Sequence, residues 1–201
     1  LSNLKNNPSP LWLSKFVRLH GTNSINTLVD LTNYIMFLYG LPCHAFDTKK
    51  SGDNLIWEMN PNYSELTSLD GTKLKIDKNI LMVNSPTKPL SLSFWGGESC
   101  AIDNSTTKTI IEIAVYNPTT VRKNSQQLKS TTEASTRLEK FLDPELIPQA
   151  ISHLVKLIED LTGGQVSSQL FNYYPHPVTI PKIDFSYNSP SIISGIKIPD
   201  D

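Results

Sequence analysis

Apolar residues recur at helical spacing near both ends of the chain and cluster in short runs between. Trp12, Phe16 and Leu19 recur with Leu13 and Val17 beside them. Ser9-Pro10 precedes this run as a hydroxyl N-cap and an N1 proline, and Gly21 offers a left-handed stop. A second helix is expected from about Ser24 to Tyr39, with Leu28, Leu31, Ile35 and Leu38 as its stripe and Gly40-Leu41-Pro42 as its end. The two read as an antiparallel helix pair. The clearest helical period follows Asp143-Pro144: Ile147, Ala150, Ile151, Leu154, Ile158 and Leu161, stopped by Thr162-Gly163-Gly164. Asn117-Pro118 repeats the cap-and-proline device.

The middle reads as strands. Candidates are Asn54–Met59 (ending before Pro61), Leu66–Leu69, Lys73–Ile76, Ile80–Val83, Leu90–Phe94 and Thr109–Tyr116. Asp70-Gly71 is a hairpin turn signal. Helices, then close-set strands, then helices predict an α+β fold, with mixed β-sheets packed by helices. The strands stand too close together for most connections to be helical crossovers. From Gln165 the chain turns rich in proline and tyrosine. The expected division is a domain over 1–165, a closing strand and linker over 166–185, and the start of a following domain over 186–201.

Composition narrows the function classes. Lys plus Arg number 18 and Asp plus Glu 19 in 201 residues, a net charge of -1. A domain that grips nucleic acid by itself is usually basic, so such contact is expected to be local or shared with other domains. Cys43 and Cys100 give no disulfide framework, as in a reduced, cytoplasmic protein. No apolar run approaches the roughly 18 residues of a membrane span. A start without Met reads as a piece of a longer protein. His20, His44, His153 and His176 have no metal-ligand spacing, so no metal is expected. No phosphate loop or dinucleotide fingerprint is present, so no cofactor is expected in this piece.

Four short motifs fall in order where periodicity predicts element ends: Thr32-Asn33-Tyr34, His44-Ala45-Phe46-Asp47, Gly96-Gly97-Glu98 and Thr132-Glu133-Ala134-Ser135. Glu112 is a charged group inside the apolar run Ile110-Ile111-Glu112-Ile113-Ala114. It is either a pocket carboxylate or a solvent-facing position of a half-buried strand. His44 is either a site residue or a turn histidine satisfied by Asp47. Thr32 and Asn33 are poor helix formers inside a helical pattern, hydrogen-bonded either to a ligand or to their own backbone. Gly96 and Gly97 permit close backbone approach, in a tight turn or against a ligand. Thr132 fits an N-cap, and Ala134 leaves room beside it.

With their context, from Ser9-Pro10-Leu11-Trp12 through Leu69-Asp70-Gly71 to Leu142-Asp143-Pro144-Glu145, these motifs resemble the editing domain of the beta subunit of bacterial-type phenylalanyl-tRNA synthetase. The resemblance covers roughly residues 9–165. It implies a hydrolytic proofreading site for tyrosine wrongly esterified to the phenylalanine tRNA. A synthetic pocket rejects an added hydroxyl only weakly, which is the physical reason for a second site. By resemblance, Glu112 accepts the tyrosine hydroxyl. His44 lies near the ester, binding the terminal adenosine or orienting a water. Thr132 binds the amino group, the ester or a water. Thr32 and Asn33 hold the substrate or its water, Gly96 and Gly97 form the pocket floor, and Ala134 gates size. Implied partners are the tRNA acceptor end, the alpha subunit and the remaining beta-subunit domains of a heterotetramer. ATP and magnesium are implied for the parent enzyme alone. Arg122, Lys123, Lys129, Arg137 and Lys140 cluster around the last motif, either as phosphate contacts or as a solvated face.

The chain departs from the family pattern at three places. Asn23-Ser24 stands for arginine-proline, and Thr131 stands for arginine. Bulky Phe94-Trp95 precede the glycine pair, where a further small residue is usual. These departures favour a second expectation, a non-catalytic tRNA-docking or subunit-interface module.

Overall fold

The computed structural model describes residues 1–59 and 62–199. The expected strand stop at Pro61 and the last two residues of the expected 186–201 segment therefore lie outside the described residues. Two compact units are present, Leu1–Gln169 and Leu170–Asp201. The second carries one short helix, α7 (Ser189–Ser194). Residues 166–185 form no strand; the edge pairing at this end of the first unit joins Ser2 to Gln165.

In the first unit α1 (Leu11–Leu19) and α2 (Thr27–Tyr39) lead into β1 (Cys43–Asp47) and a single turn, α3 (Thr48–Ser51). Six short strands follow: β2 (Ile56–Glu58), β3 (Glu65–Thr67), β4 (Lys73–Lys75), β5 (Met82–Asn84), β6 (Pro89–Leu92) and β7 (Trp95–Gly96). Then come β8 (Thr109–Ile113), α4 (Pro118–Gln127), α5 (Glu133–Leu138) and α6 (Ile147–Thr162). The fold is α+β, and every strand pair among the described residues is antiparallel: β1 with β8, β3 with β4, and a sheet ordered β2-β5-β6-β7.

Several local expectations change on folding. The buried face of α1 is Leu13 and Val17, while Trp12 and Leu19 stay exposed. Nine residues make little more than two turns, so the period fits either row, and packing selects the inner one. Trp12 instead sits edge-on to Tyr34, with 5.5 Å between ring centroids. Ser9 does not cap α1. Its hydroxyl donates to Asp30 Oδ2 at 2.6 Å, and the same carboxylate accepts from Ser24 Oγ and from the Ile25 amide. Asp30 thereby ties the segments flanking α1. The second helix starts later than expected, because Asn26 accepts the Val29 amide as its cap. Asn117 caps α4 through the Thr120 amide, as its pairing with Pro118 predicts. Asp143 caps a 3₁₀ turn that runs into α6. No described helix is long and apolar enough to cross a membrane.

The β1–β8 ribbon positions the site. His44-Ala45-Phe46-Asp47, expected to follow a turn, is itself a strand. Register places Cys43 opposite Ile113, His44 opposite Glu112 and Phe46 opposite Ile110. Side chains alternate between faces. Cys43, Ile111 and Ile113 therefore pack against the helical core of Leu13, Leu28, Leu31, Ile35, Leu154 and Ile158. Phe46 and Ile110 face the other way, against Val83, Leu90 and Cys100. His44 and Glu112 share that second face.

Candidate functional site: a hollow on the outer face of the ribbon

His44 and Glu112 are direct cross-strand neighbours, a relation that brings side chains within about 5 Å on one face. Both border a hollow of about 60 Å³. Its wall also includes Ser93, Phe94, Trp95, Gly96, Tyr116 and Ala134. Ligand pockets usually span roughly 300 Å³ or more. This hollow is smaller, with room for water.

Gly96 is required by close approach. A Cβ built there would lie 2.5 Å from His44 Cε1 and 2.7 Å from Leu69 Cδ1. The imidazole therefore lies against bare backbone. Gly97 serves the sheet: a Cβ there would stand 2.1 Å from the Leu90 carbonyl oxygen. Gly97 is absent from the wall of the hollow.

The His44 ring also meets Phe46 edge-on, at 4.4 Å between centroids, and its Nε2 is 3.9 Å from Cys100 Sγ. Burial lowers its pKa to about 4, so the imidazole is neutral at physiological pH. A neutral ring can accept a hydrogen from water or orient it, but it is a weak base. Asp47 does not satisfy this histidine. Asp47 accepts from Thr106 Oγ1 at 2.8 Å and caps α3 through the Lys49 amide. Burial pushes the Cys100 thiol up to about 11, and burial followed by the Glu112 charge raises Cys43. Both cysteines are free, and neither is a ready thiolate.

Glu112 has its pKa raised by burial, opposed by hydrogen bonds from Tyr116 and Trp57. Both donors reach the same oxygen. Tyr116 Oη donates to Oε1, and Trp57 Nε1 donates to Oε1 at 2.8 Å and to Tyr116 Oη at 3.1 Å. Oε2 takes no hydrogen bond among the described residues. Tyr116 and Trp57 escaped the sequence reading. The first was assigned to the tail of a strand. The second comes from β2 in another sheet, and no spacing signal links it to Glu112.

Ser93 was also missed as a polar feature. It is 9% exposed and its hydroxyl has no hydrogen-bond partner among the described residues. Buried hydroxyls are nearly always paired.

The other candidates divide. Ala134 borders the hollow, placed there by the first turn of α5. Thr132 does not border it. Its hydroxyl accepts the Ser135 amide in a capping box and donates to the Phe94 carbonyl at 3.0 Å. Both hydroxyl functions are thus spent on fixing α5 against the wall. Thr32 is buried in α2 and donates to the Val29 carbonyl at 2.7 Å. Asn33 is half-buried, and its amide makes no hydrogen bond among the described residues. Neither Thr32 nor Asn33 borders the hollow.

Of the five basic residues near α5, Arg122, Lys123, Lys129 and Lys140 are exposed. Arg137 pairs with Glu133 at 2.6 Å and lies over the Phe37 ring at 5.1 Å. Among the described residues no three His, Cys, Asp or Glu side chains converge as a metal site.

The phenylalanine–tRNA ligase beta subunits of Desulfotalea psychrophila and Carboxydothermus hydrogenoformans are each 35% identical over 200 residues, 98% of this chain. That of Clostridium acetobutylicum is 33% identical over the same length. The chain spans about a quarter of the length of these curated relatives, 24–25%. The B3/4 domain model matches residues 1–163, which takes in the ribbon, the hollow and all eight candidate residues: the chain belongs to the B3/4 domain family.

Proposed function

We propose that this chain is the proofreading domain of a phenylalanine–tRNA ligase beta subunit, hydrolysing the ester of tyrosyl-tRNA made in error on the phenylalanine tRNA. The observation that supports this best is the pairing of His44 with Glu112 on one ribbon face, beside Gly96 and Ala134. A carboxylate with an open oxygen rewards a phenol hydroxyl. A bare benzene ring leaves that oxygen unpaired, at a cost of roughly 1–3 kcal/mol. In the reaction a water oxygen bonds to the ester carbonyl carbon, the ester C–O bond breaks, and the ribose oxygen leaves with a proton. Neutral His44 orients that water or the ester, so positioning dominates over base strength. Thr132 contributes by fixing α5 and with it Ala134, the ring-size gate. Thr32, Asn33 and Gly97 belong to the surround that shapes the ligand's approach. The tRNA acceptor end, the alpha subunit and the remaining beta-subunit domains are the partners, in the cytoplasm. ATP and magnesium serve the synthetic reaction elsewhere in the parent enzyme.

Deacylation of tyrosyl- and phenylalanyl-tRNA by the complete ligase tests this reading. Glu112→Ala is expected to lower the tyrosine preference by about 10- to 100-fold. An unchanged preference removes Glu112 from the selective role.

The 60 Å³ volume, with Phe94 and Trp95 in the wall, favours a second reading: a non-catalytic docking or subunit-interface module of the same fold. A complete ligase that leaves mischarged tRNA intact, and whose hollow stays closed in crystals soaked with L-tyrosine, establishes the second reading over the first.

A further inference from the structure

Glu112 is already bound to a phenol. Tyr116 Oη donates to Oε1, Trp57 Nε1 closes the triangle by donating to both, and the remaining space is too small for an aromatic ring. Tyr116 itself forms part of the wall, and Trp57 is 46% exposed on the outside. We propose that Tyr116 is a resident phenol that sets the specificity of the site by occupying Glu112 until a ligand hydroxyl replaces or joins it. This deepens the proofreading reading and rests on it.

The reasoning is one of exchange. A carboxylate left without a donor in a buried site is costly, whereas swapping one donor for an equivalent one is nearly neutral. With Tyr116 in place, Oε1 of Glu112 is satisfied in the empty site. An arriving tyrosine hydroxyl then gains little at that oxygen that Tyr116 did not already supply. Without the Tyr116 hydroxyl, Oε1 keeps the Trp57 N–H and whatever water the hollow holds, and a hydroxyl-bearing ligand that displaces this water supplies the missing donor. Tyr116 thus lowers the discrimination that Glu112 alone supplies, and holds the empty site stable in return. Its chain position suits this role. It lies just beyond β8 and just before the Asn117 cap of α4, so the backbone is held on both sides of the ring.

The test is the ratio of kcat/KM for tyrosyl- over phenylalanyl-tRNA hydrolysis in the complete ligase carrying Tyr116→Phe, with Trp57→Phe as a second variant. Tyr116→Phe keeps the ring and removes only the hydroxyl. The ratio is expected to rise about fivefold to tenfold, carried by a lower KM for the tyrosyl ester, with phenylalanyl-tRNA moved less than about twofold. Trp57→Phe moves the ratio the same way by a smaller factor. A ratio that is unchanged or lower in both variants overturns the proposal, as does an equal loss on both esters, the mark of a merely structural tyrosine. Glu112→Ala in the same assay separates the two levels. If it abolishes the preference while Tyr116→Phe does not raise it, proofreading stands and the resident phenol falls. If it changes nothing, the proofreading reading fails first.

Discussion

The two faces of the β1–β8 ribbon differ sharply, although alternate residues of the same ten build both. The inner face, through Cys43, Ile111 and Ile113, presents apolar groups to α1, α2 and α6. The outer face carries His44 and Glu112, two ionisable groups that burial pushes toward their neutral forms. Around them stand a serine hydroxyl and a carboxylate oxygen that take no hydrogen bond among the described residues. Strand alternation lets one ribbon anchor the core and lend the other side to a candidate site. The inner side supplies stability, and the outer side spends some of it.

The comparison breaks most readily from the inside. Leu154 of α6 is fully buried in the helical core. Leu154→Ala is expected to destabilise the protein by about 2–5 kcal/mol, the range for a leucine deleted from a packed core. Urea unfolding measures it. The tyrosine-over-phenylalanine ratio of the surviving folded enzyme should not change, because no atom of Leu154 borders the hollow.

A smaller effect, on the outer face, comes from pH. The folded pKa of His44 lies near 4, below the ordinary value of about 6.5. The unfolded chain therefore binds more protons between these values, and stability falls as pH drops from about 6.5 to about 4. The slope is at most about 1.4 kcal/mol per pH unit. Thermal unfolding across this window in wild type and His44→Gln isolates the term, and the variant curve should be the flatter. Glu112, raised by burial, acts in the opposite sense: the folded state holds its proton longer, so its contribution to stability falls as pH rises through the carboxylate range.

The smallest effect has the opposite sign. Ser93→Ala removes a buried hydroxyl that has no partner among the described residues. It is expected to leave stability unchanged or raise it by up to about 1 kcal/mol, seen as a higher Tm. A clear fall in Tm would mean that the hydroxyl has a partner in solution, a held water being the simplest.

Much of the outline was legible in the sequence, for physical reasons. Some helices declare themselves: α6 by its long apolar period, and α4 by its asparagine cap and the proline that follows. The β3–β4 hairpin follows from Asp70-Gly71, where Gly71 takes φ +83°. Glu112 stood out as a charge inside an apolar run. The rest depended on tertiary placement. Cys43–Asp47 has too few β-branched residues to look like a strand and becomes one because β8 lies alongside. The Trp57 donor meets Glu112 only after two separate sheets are brought together. The hydroxyl of Thr132 looked equally suited to a cap and to a ligand, and local capping claimed it.

The Asp30 carboxylate has a mechanical consequence. It receives Ser9 before α1 and Ser24 and Ile25 after it, so the first helix is moored at both ends to one point on its neighbour. Such an arm does not swing out on a single hinge, since releasing either end takes donors from the same buried side chain. Opening there is all-or-nothing, and the Ile25 amide should exchange its hydrogen for deuterium only when both ropes are slipped at once.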